Sequence, residues 1–492
     1  MINKKQKKNS KGFIAAYVLI AAAVVITLLG GLLVFVGSSQ RRASDEVSRQ
    51  QALQIAESGI YFYKWYLSHS LDGKTAQQIK NFWEGGTAYG YSVPYEQEVT
   101  DNDATPIGRY RINVSVPRPD STIVMVTSEG WTYKHPGIVK SVQVRFRRPS
   151  WSEYSVLAND VMRFGEGTHV YGPIHSNNGI RFDGIAHNLV SSSVEDYWDP
   201  DTSSTCDGVW TSQSDEDATF LAGKEFPVAS VDFGSVVTDL ALIKSEAQAD
   251  GLYLGGDTYE ESVCGWTWIG PPWPWWDWQC STNNVPVEGY HLTLRTDDRV
   301  EVRLVTDSGS SSHRIYDETG ATTYDFPNNG LVFVENHVWV DGQIDGYHLT
   351  VASGDLEQAG VDTDVYINND ITYTNTDGTD IIGLIAENDV SVGLYSEDNL
   401  EIHAALLAQN GRVGRDYYNF GTSATYYKRD TITVYGSIAT NQRYGFRWIC
   451  GGNTYCSGYL NRNLHFDNNL LYFPPPFFPT GTTYELDLWE DL

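Results

Sequence analysis

The apolar and polar positions divide the chain into a long helical segment and a much longer region of short strands. Residues 13–36 form an uncharged apolar run in which Thr27 is the only clearly polar side chain. A helix of this length crosses the ~30 Å hydrocarbon core of a bilayer and satisfies its own backbone hydrogen bonds there. Lysines before the run predict a cytoplasmic N-terminus, so that everything from Gln40 onward is exported.

The helical pattern continues beyond the apolar run. Apolar residues recur at alternating spacings of three and four, namely Leu53, Ala56, Ile60, Tyr63 and Leu67. This spacing predicts the buried stripe of an amphipathic helix. The chain therefore predicts one helix over residues 13–70 that begins in a membrane and continues outside it. A secretory signal has a shorter apolar region, usually ~7–15 residues, and ends at a cleavage site.

The N-terminus resembles that of type IV pilin-like proteins. Lys11 and Gly12 before Phe13 match the prepilin pattern of a basic leader, here residues 1–12, followed by glycine and an apolar first mature residue. Residues 49–60, RQQALQIAESGI, resemble the segment that follows the span in PilX-type minor pilins. The resemblance implies cleavage between Gly12 and Phe13 by a prepilin peptidase.

The same resemblance implies partners and a location. Membrane lipid and other pilin-like subunits are the implied partners, in a bacterial inner membrane crossed once, with the body at the cell surface or in a pilus. Tyr17 stands at the fifth mature position, where pilins typically carry Glu. The protein then either occupies a special position such as a tip, or is not assembled like a main pilin.

Residues 71–150 predict a pilin-like α+β head. Four segments alternate apolar and polar residues between turn residues, at positions 87–99, 108–116, 122–133 and 139–147. Such strands after a long helix predict a sheet that packs on the exported half of that helix. Pro149 and Ser150 mark the predicted boundary of the head.

Residues 151–492 predict a parallel, right-handed β-helix, or β-solenoid. Short apolar runs alternate with corners such as Asn369-Asp370, Asn388-Asp389 and Asn410-Gly411, which recur at about one coil length. A β-sandwich is the alternative, although it favours hairpin turns. Residues 172–184, 222–228 and 400–411 also resemble C-terminal portions of pilin-like proteins from environmental bacteria.

Two further segments accompany the predicted solenoid. Residues 235–249 have helical spacing and predict a helix packed on a solenoid face. Residues 470–492 contain Pro474 to Pro476 and predict an extended strap over an open solenoid end.

Residues 259–286 predict an inserted, tryptophan-rich loop that contacts a partner. This segment contains six of the chain's 15 tryptophans: Trp266, Trp268, Trp273, Trp275, Trp276 and Trp278. Prolines stiffen it, which lowers the entropy lost on binding. A surface glycan, a protein ligand such as another pilin-like subunit, or an outer envelope could each meet such a patch. The alternative is a loop that folds flat over the solenoid wall and only packs.

The five cysteines predict two disulfides in an exported body. Cys450 and Cys456 flank a turn with two glycines, and Cys264 and Cys280 flank the tryptophan-rich segment. Cys206 is left free, although it could instead pair with a cysteine from either bridge.

The charge and the motifs exclude some functions. A formal net charge of −28 disfavours non-specific nucleic-acid binding. No signature of catalysis, cofactor binding or metal binding stands out. His169 and His175 could share a metal ion, but separate structural roles are favoured for them. The acidic clusters at residues 101–103, 196–201 and 215–217 could bind calcium, but they are more typical of solvated turns.

The favoured interpretation is a membrane-inserted, pilin-like minor pilin with a structural or adhesive role and no enzymatic activity. One alternative is a membrane-anchored, polysaccharide-active β-helix enzyme, for which Asp341, Asp345 and Glu335 are candidate carboxylates. Another is a signal-anchored surface protein outside pilus assembly.

Overall fold

The computed structural model is mainly β with a long N-terminal helix, and it describes residues 11–71, 74, 76–85, 88–115, 122–231, 233, 240–270, 276–356, 362–451, 454–481 and 483–492. The chain divides into two compact units. The first comprises Met1–Val116, Val124–Phe146 and Leu486–Leu492, and the second comprises Pro117–Ile123 and Arg147–Glu485. This confirms the predicted fold class of a long helix, a small sheet and a large body of parallel strands.

The first unit is built on helix α1, Lys11–Leu71, whose 61 residues rise through about 90 Å. Apolar side chains from Ile14 to Val36 are exposed, and this is the described helix that is long and apolar enough to cross a membrane. Further along, four of the five predicted stripe residues are buried, Leu53 being half-buried. A second helix, α2 (Ala76–Glu84), is an element that the sequence analysis missed.

An antiparallel sheet packs on α1. Its first four strands are β1 (Tyr95–Thr100), β2 (Pro106–Val114), β3 (Ile123–Thr132) and β4 (Val139–Arg147). Gly130 in β3 permits the close approach, because a Cβ there would come within 2.4 Å of the Ala52 carbonyl oxygen and the Ala56 nitrogen. Gly59 lies on the same contact, where a Cβ would come within 2.3 Å of the Ser128 hydroxyl, so this glycine is also a packing position.

The second unit contains the remaining strands and two short helices. From its beginning these are β5 (Val156–Ala158), β6 (Met162–Phe164), β7 (Thr168–Tyr171), β8 (Ile174–Ser176), β9 (Ile180–Phe182), β10 (Ile185–Ala186), β11 (Val190–Ser192), β12 (Asp196–Asp199), β13 (Ser204–Asp207), β14 (Val209–Trp210), α3 (Glu216–Thr219), β15 (Lys224–Glu225) and α4 (Leu240–Asp250). Next come β16 (Leu252–Leu254), β17 (Thr258–Trp268), β18 (Trp276–Pro286), β19 (Gly289–Arg295), β20 (Arg299–Gly309), β21 (Arg314–Glu318), β22 (Thr322–Asp325), β23 (Leu331–Val334), β24 (His337–Ile344) and β25 (His348–Ser353).

The rest of the unit is β26 (Val365–Ile367), β27 (Ile371–Tyr373), β28 (Ile381–Ala386), β29 (Val390–Val392), β30 (Asn399–Ala408), β31 (Val413–Arg415), β32 (Lys428–Thr440), β33 (Arg447–Cys450) and β34 (Thr454–Phe466). Most of these strands pair in parallel with the strand one coil away, as in β25 with β28 and β30 with β32. Parallel pairing across successive coils is the β-solenoid that the corner residues predict.

The coils form three walls of parallel strands around one apolar core. Wall 1 contains β16, β23, β25, β28, the second halves of β30 and β32, then β5, β8, β11 and β15. Wall 2 contains the end of β24, then β27, the first halves of β30 and β32, then β34, β7 and β10. Wall 3 contains β26, β29 and β31 between the start of β24 and the three-stranded group β6, β9 and β14.

The coils do not stack throughout in the order of the sequence. Ile438 to Thr440, near the end of the solenoid, pair with Val156 to Ala158 at its beginning. The first coils of the chain therefore continue the stack beyond its last coils. Between β15 and β16 the chain returns to the opposite end of the stack, where β16 pairs with β23.

Wall 1 is apolar on both faces, which explains the uninterrupted apolar run in β28. Its outer face packs against α4, through Leu240, Ile243 and Ala247. Further along it packs against Leu470 and Phe478 of the C-terminal segment. The described part of this helix, Leu240–Asp250, confirms the predicted one, of which residues 235–239 lie outside the described residues.

The C-terminal segment corrects the predicted strap. It covers the side of wall 1, where the Thr350 hydroxyl donates to the Pro476 carbonyl, and not an open end of the solenoid. Its last part is also not a strap, because β35 (Glu485–Asp491) is the fifth strand of the antiparallel sheet, beside β4. The Arg145 Nε donates to Asp487 at 2.6 Å, and the Leu492 amide donates to Ser141, both within the first unit.

Candidate binding site: the tryptophan hairpin

The tryptophan-rich segment is a β-hairpin and not the loop that the sequence predicts. Strands β17 and β18 pair antiparallel along their full lengths, from Thr258 with Pro286 to Trp268 with Trp276. We call residues 258–286 the tryptophan hairpin. Tryptophan alternates with polar residues at 266–268 and 276–278, which is the signal that could have predicted these strands; the prolines between them favoured a loop instead.

Pairing places the described tryptophans on one face of the hairpin. Trp266 lies opposite Trp278, and Trp268 lies opposite Trp276. Because side chains alternate between faces, these four indoles share a face with Cys264 and Cys280. The Trp266 and Trp278 ring centroids are 5.6 Å apart with an interplanar angle of 75°, an edge-to-face pair. Trp273 and Trp275 lie outside the described residues.

The four indoles are not packed on the solenoid. Their exposed fractions are 66% for Trp266, 57% for Trp268, 56% for Trp276 and 55% for Trp278. Ile269 and Val263 nearby are also about half exposed, at 47% and 48%. The alternative of a loop folded flat over the wall is therefore wrong for the described part of the hairpin.

A disulfide holds the hairpin in register. Cys264 and Cys280 are bonded and directly opposite each other, with Cα atoms 3.9 Å apart. Cys450 and Cys456 form the second disulfide, and Cys206 is the free cysteine, as the sequence predicts. An isolated two-stranded hairpin is only marginally stable in water, so a bridge next to the indole pairs is well placed to keep them in register.

The base of the hairpin anchors it to the body and is strongly acidic. Tyr259 packs against the solenoid core, and its hydroxyl donates to the Thr306 carbonyl at 3.3 Å. Desolvation at this base, together with the carboxylates of Glu261 and Glu288, raises the pKa of Tyr259 above its usual value of 10.0. The hairpin sequence itself contains Glu260, Glu261 and Asp277 and no lysine or arginine.

The two histidines weighed as a metal pair are separated by the corner between them. His169 lies in wall 2, with its ring centroid 5.9 Å from that of His187, whereas His175 lies in wall 1. His175 is buried, its Nδ1 is 3.0 Å from the Ser191 hydroxyl, and burial lowers its pKa. Among the described residues, no three His, Cys, Asp or Glu side chains form a group that could hold a metal ion.

The acidic clusters have local structural roles. The Asp101 carboxylate accepts backbone hydrogen bonds from Asp103 and Thr105 within its turn. The Asp215 carboxylate caps the N-terminus of α3, and Asp201 forms ion pairs with arginines.

The three candidate carboxylates for polysaccharide chemistry do not come together. Asp341 accepts hydrogen bonds from His291 Nε2 at 3.0 Å and from Asn369 at 2.9 Å. Asp345 is exposed and accepts from Asn375, and Glu335 pairs with Lys244 beside α4. Each acid is therefore held by its own neighbours, and a catalytic role for the set stays a prediction.

The remaining predicted positions lie at the N-terminus. Gly12 and Phe13 are in the first turn of α1, and the lysines of residues 1–10 lie outside the described residues. Tyr17 is also in α1, with 64% of its surface exposed among the apolar side chains.

A basic and aromatic region of the solenoid was missed by the sequence analysis. Residues 412–462 contain seven lysines and arginines but only two acidic residues, in a chain of net charge −28. Three of these seven cations are buried, among them Arg415, fully, and Arg462, with 3% of its surface exposed; the third is Arg429. The guanidinium groups of Arg415 and Arg462 donate to backbone carbonyls, so these two arginines have a packing role.

Comparison with known proteins gives a distant structural likeness to a pilin. No protein-family model matches the chain, and no curated protein matches it. Its structure is similar to the competence-associated pilin ComZ from Thermus thermophilus, with 14% sequence identity and a TM-score of 0.30. The match covers 90% of this chain and 97% of that one. Because the TM-score is low, this likeness carries no argument about function.

Proposed function

We propose that this chain is a membrane-inserted, type IV pilin-like surface protein that displays its solenoid outside the cell membrane. The observation that carries the proposal is helix α1. Its first half is apolar and exposed, and its second half is the packing core of a small antiparallel sheet. One helix therefore serves as both membrane anchor and scaffold, with the N-terminus cytoplasmic because of its lysines.

The role that fits the body is structural or adhesive rather than enzymatic. Exposed apolar side chains are concentrated on a protruding hairpin, and such a patch usually marks an interaction site. The candidate carboxylates have separate structural partners, so the rival of a polysaccharide-active enzyme has no assembled group to support it. As a minor pilin, the protein would contact other pilin-like subunits and be processed by a prepilin peptidase.

The experiment that tests the proposal is identification of the mature N-terminus. Protein from native membranes should begin at Phe13, because Gly12 precedes an uninterrupted apolar run. N-terminal sequencing and intact mass measure this directly. A matched variant, Gly12→Trp, should leave the leader attached without altering the body. A native chain that begins at Met1 or near Gln40 would contradict pilin-type processing and favour a plain signal anchor or a cleaved signal.

A further inference from the structure

The tryptophan hairpin presents flat apolar rings in an ordered array. On each strand the two indoles are two residues apart, about 7 Å along the strand, and cross-strand Cβ atoms lie ~5 Å apart. The four side chains remain more than half exposed although two of them touch edge to face. Pairing within the hairpin therefore uses only part of their apolar surface.

We propose that this array is a binding platform for an uncharged polysaccharide. The apolar faces of sugar rings, which carry C–H groups, stack on the exposed indoles, while hydroxyl groups around each ring reach polar side chains beside them. This inference deepens the surface role proposed above and rests on it for the display of the hairpin outside the cell.

Charge favours this partner over an anionic one. The hairpin has three carboxylates and no cation, and Asp307 and Asp317 add negative charge near its base. Lipids with net negative charge and nucleic acids would be repelled by such a site, whereas an uncharged polysaccharide would not.

The polar neighbours also favour a saccharide over an apolar surface. Ser262 pairs with Thr282 on the indole face, just beyond the disulfide, whereas Thr267, Asp277 and Gln279 lie on the opposite face. Sugar hydroxyls can donate to and accept from the hydroxyls of Ser262 and Thr282. Insertion into a lipid interior or an apolar groove would instead bury carboxylates without partners, which is costly.

The disulfide makes the platform rigid before it binds. The Cys264–Cys280 bridge is the next cross-strand pair after Trp266 and Trp278 on the same face, two residues away along each strand. Side chains already held in place lose less conformational entropy on binding, so stacking energy is retained as affinity.

The test uses the full chain embedded in phosphatidylcholine nanodiscs, so that no sugar-based detergent competes. Wild-type protein is incubated with insoluble cellulose, chitin and mannan, and separately with fluorescent phosphatidylcholine vesicles. The Trp266→Leu/Trp278→Leu variant keeps apolar bulk but removes the flat rings, and Trp266→Phe/Trp278→Phe keeps flat rings. Trp198→Leu is the matched control, since Trp198 is 62% exposed on another strand of the same unit.

Binding to at least one polysaccharide is expected, with about tenfold or greater weakening in the leucine variant, equivalent to about 1.4 kcal/mol. The phenylalanine variant and Trp198→Leu should bind close to wild type. Peptide mapping of the Cys264–Cys280 bridge in each variant verifies that the hairpin is intact. No binding to any of the three polysaccharides, equal binding by the leucine variant, or capture of vesicles instead would overturn the proposal.

N-terminal sequencing of the native protein separates the two proposals. A chain that begins at Phe13 but does not bind polysaccharide removes only this inference. A chain that begins at Met1 and still binds removes only pilin-type processing.

Discussion

Replacement of Arg415 by methionine should open a corner of the solenoid. The guanidinium is fully buried and donates to the carbonyls of Leu394 at 3.1 Å, Tyr426 at 2.9 Å and Tyr427 at 3.2 Å, with a longer bond to Gly393 at 3.4 Å. The charge therefore ties residues 393–394 to residues 426–427. Burial lowers the pKa of Arg415, which reports the desolvation that these carbonyls offset.

The magnitude follows from the groups left behind. Arg415→Met fills a similar volume but leaves four carbonyls without this donor, and each unsatisfied buried group costs about 1–3 kcal/mol. Because water reaches some of them after local opening, we expect a net loss of about 4 kcal/mol, within the range for breaking a buried charge network. Such a loss corresponds to roughly 1,000-fold faster hydrogen exchange if exchange follows the opening equilibrium.

Hydrogen exchange with mass spectrometry on the full chain measures this effect locally. Peptides that cover residues 393–396 and 426–428 should lose protection, while peptides from the head sheet should not. Arg412→Met is the control, because Arg412 pairs with Asp416 at 2.7 Å near the surface, and its loss should cost about 1 kcal/mol or less. Equal protection of these peptides in the two variants would refute the reasoning that Arg415 holds residues 393–394 to residues 426–427.

Three further predictions concern other parts of the molecule. Burial lowers the pKa of His291, but Asp341 and Glu318 raise it by more, to above its usual 6.5. Hydrogen-exchange protection of β19–β21 should therefore be highest below about pH 6.5 and fall as the pH rises through the folded-state pKa. His291→Gln should remove this pH dependence. Ile243→Ala should cost about 3 kcal/mol and expose α4 to protease, whereas Ala241→Ser on its exposed side should have little effect. Removal of residues 486–492 should destabilise the head sheet and leave the solenoid core protected, as measured by hydrogen exchange; equal protection of the head would show that β35 adds nothing to it.

The sequence predicts the elements whose signal is local. The stripe in α1, the strands of the head and helix α4 follow from apolar spacing, and the corners between coils follow from Asn, Asp and Gly. The disulfide partners could be predicted because each pair flanks one short segment. In each case the residues that decide the structure lie within about one coil of each other.

The features that were missed depend on contacts between remote segments. Nothing in Val156 to Ala158 indicates that these residues pair with Ile438 to Thr440, since any apolar strand of three residues fits a parallel wall equally well. Similarly, residues 485–491 were predicted as part of a strap over an open solenoid end, and only the free edge of β4 makes them a strand. The tryptophan hairpin was mistaken for a loop because the prolines between its strands outweighed the short alternation of tryptophan with polar residues at 266–268 and 276–278.

The closure of the first coils on the last ones has a consequence for biosynthesis. At roughly 5–20 residues per second, about 15–55 seconds separate synthesis of β5 from synthesis of its partner in β32. During that interval the strands of residues 156–192 can pair with one another, but the edge that meets β32 and β34 stays open. An open parallel edge is a template for wrong pairing. The protein must therefore be kept from aggregating until its C-terminal coils arrive, and a chain cut short before residue 428 would leave that edge permanently exposed.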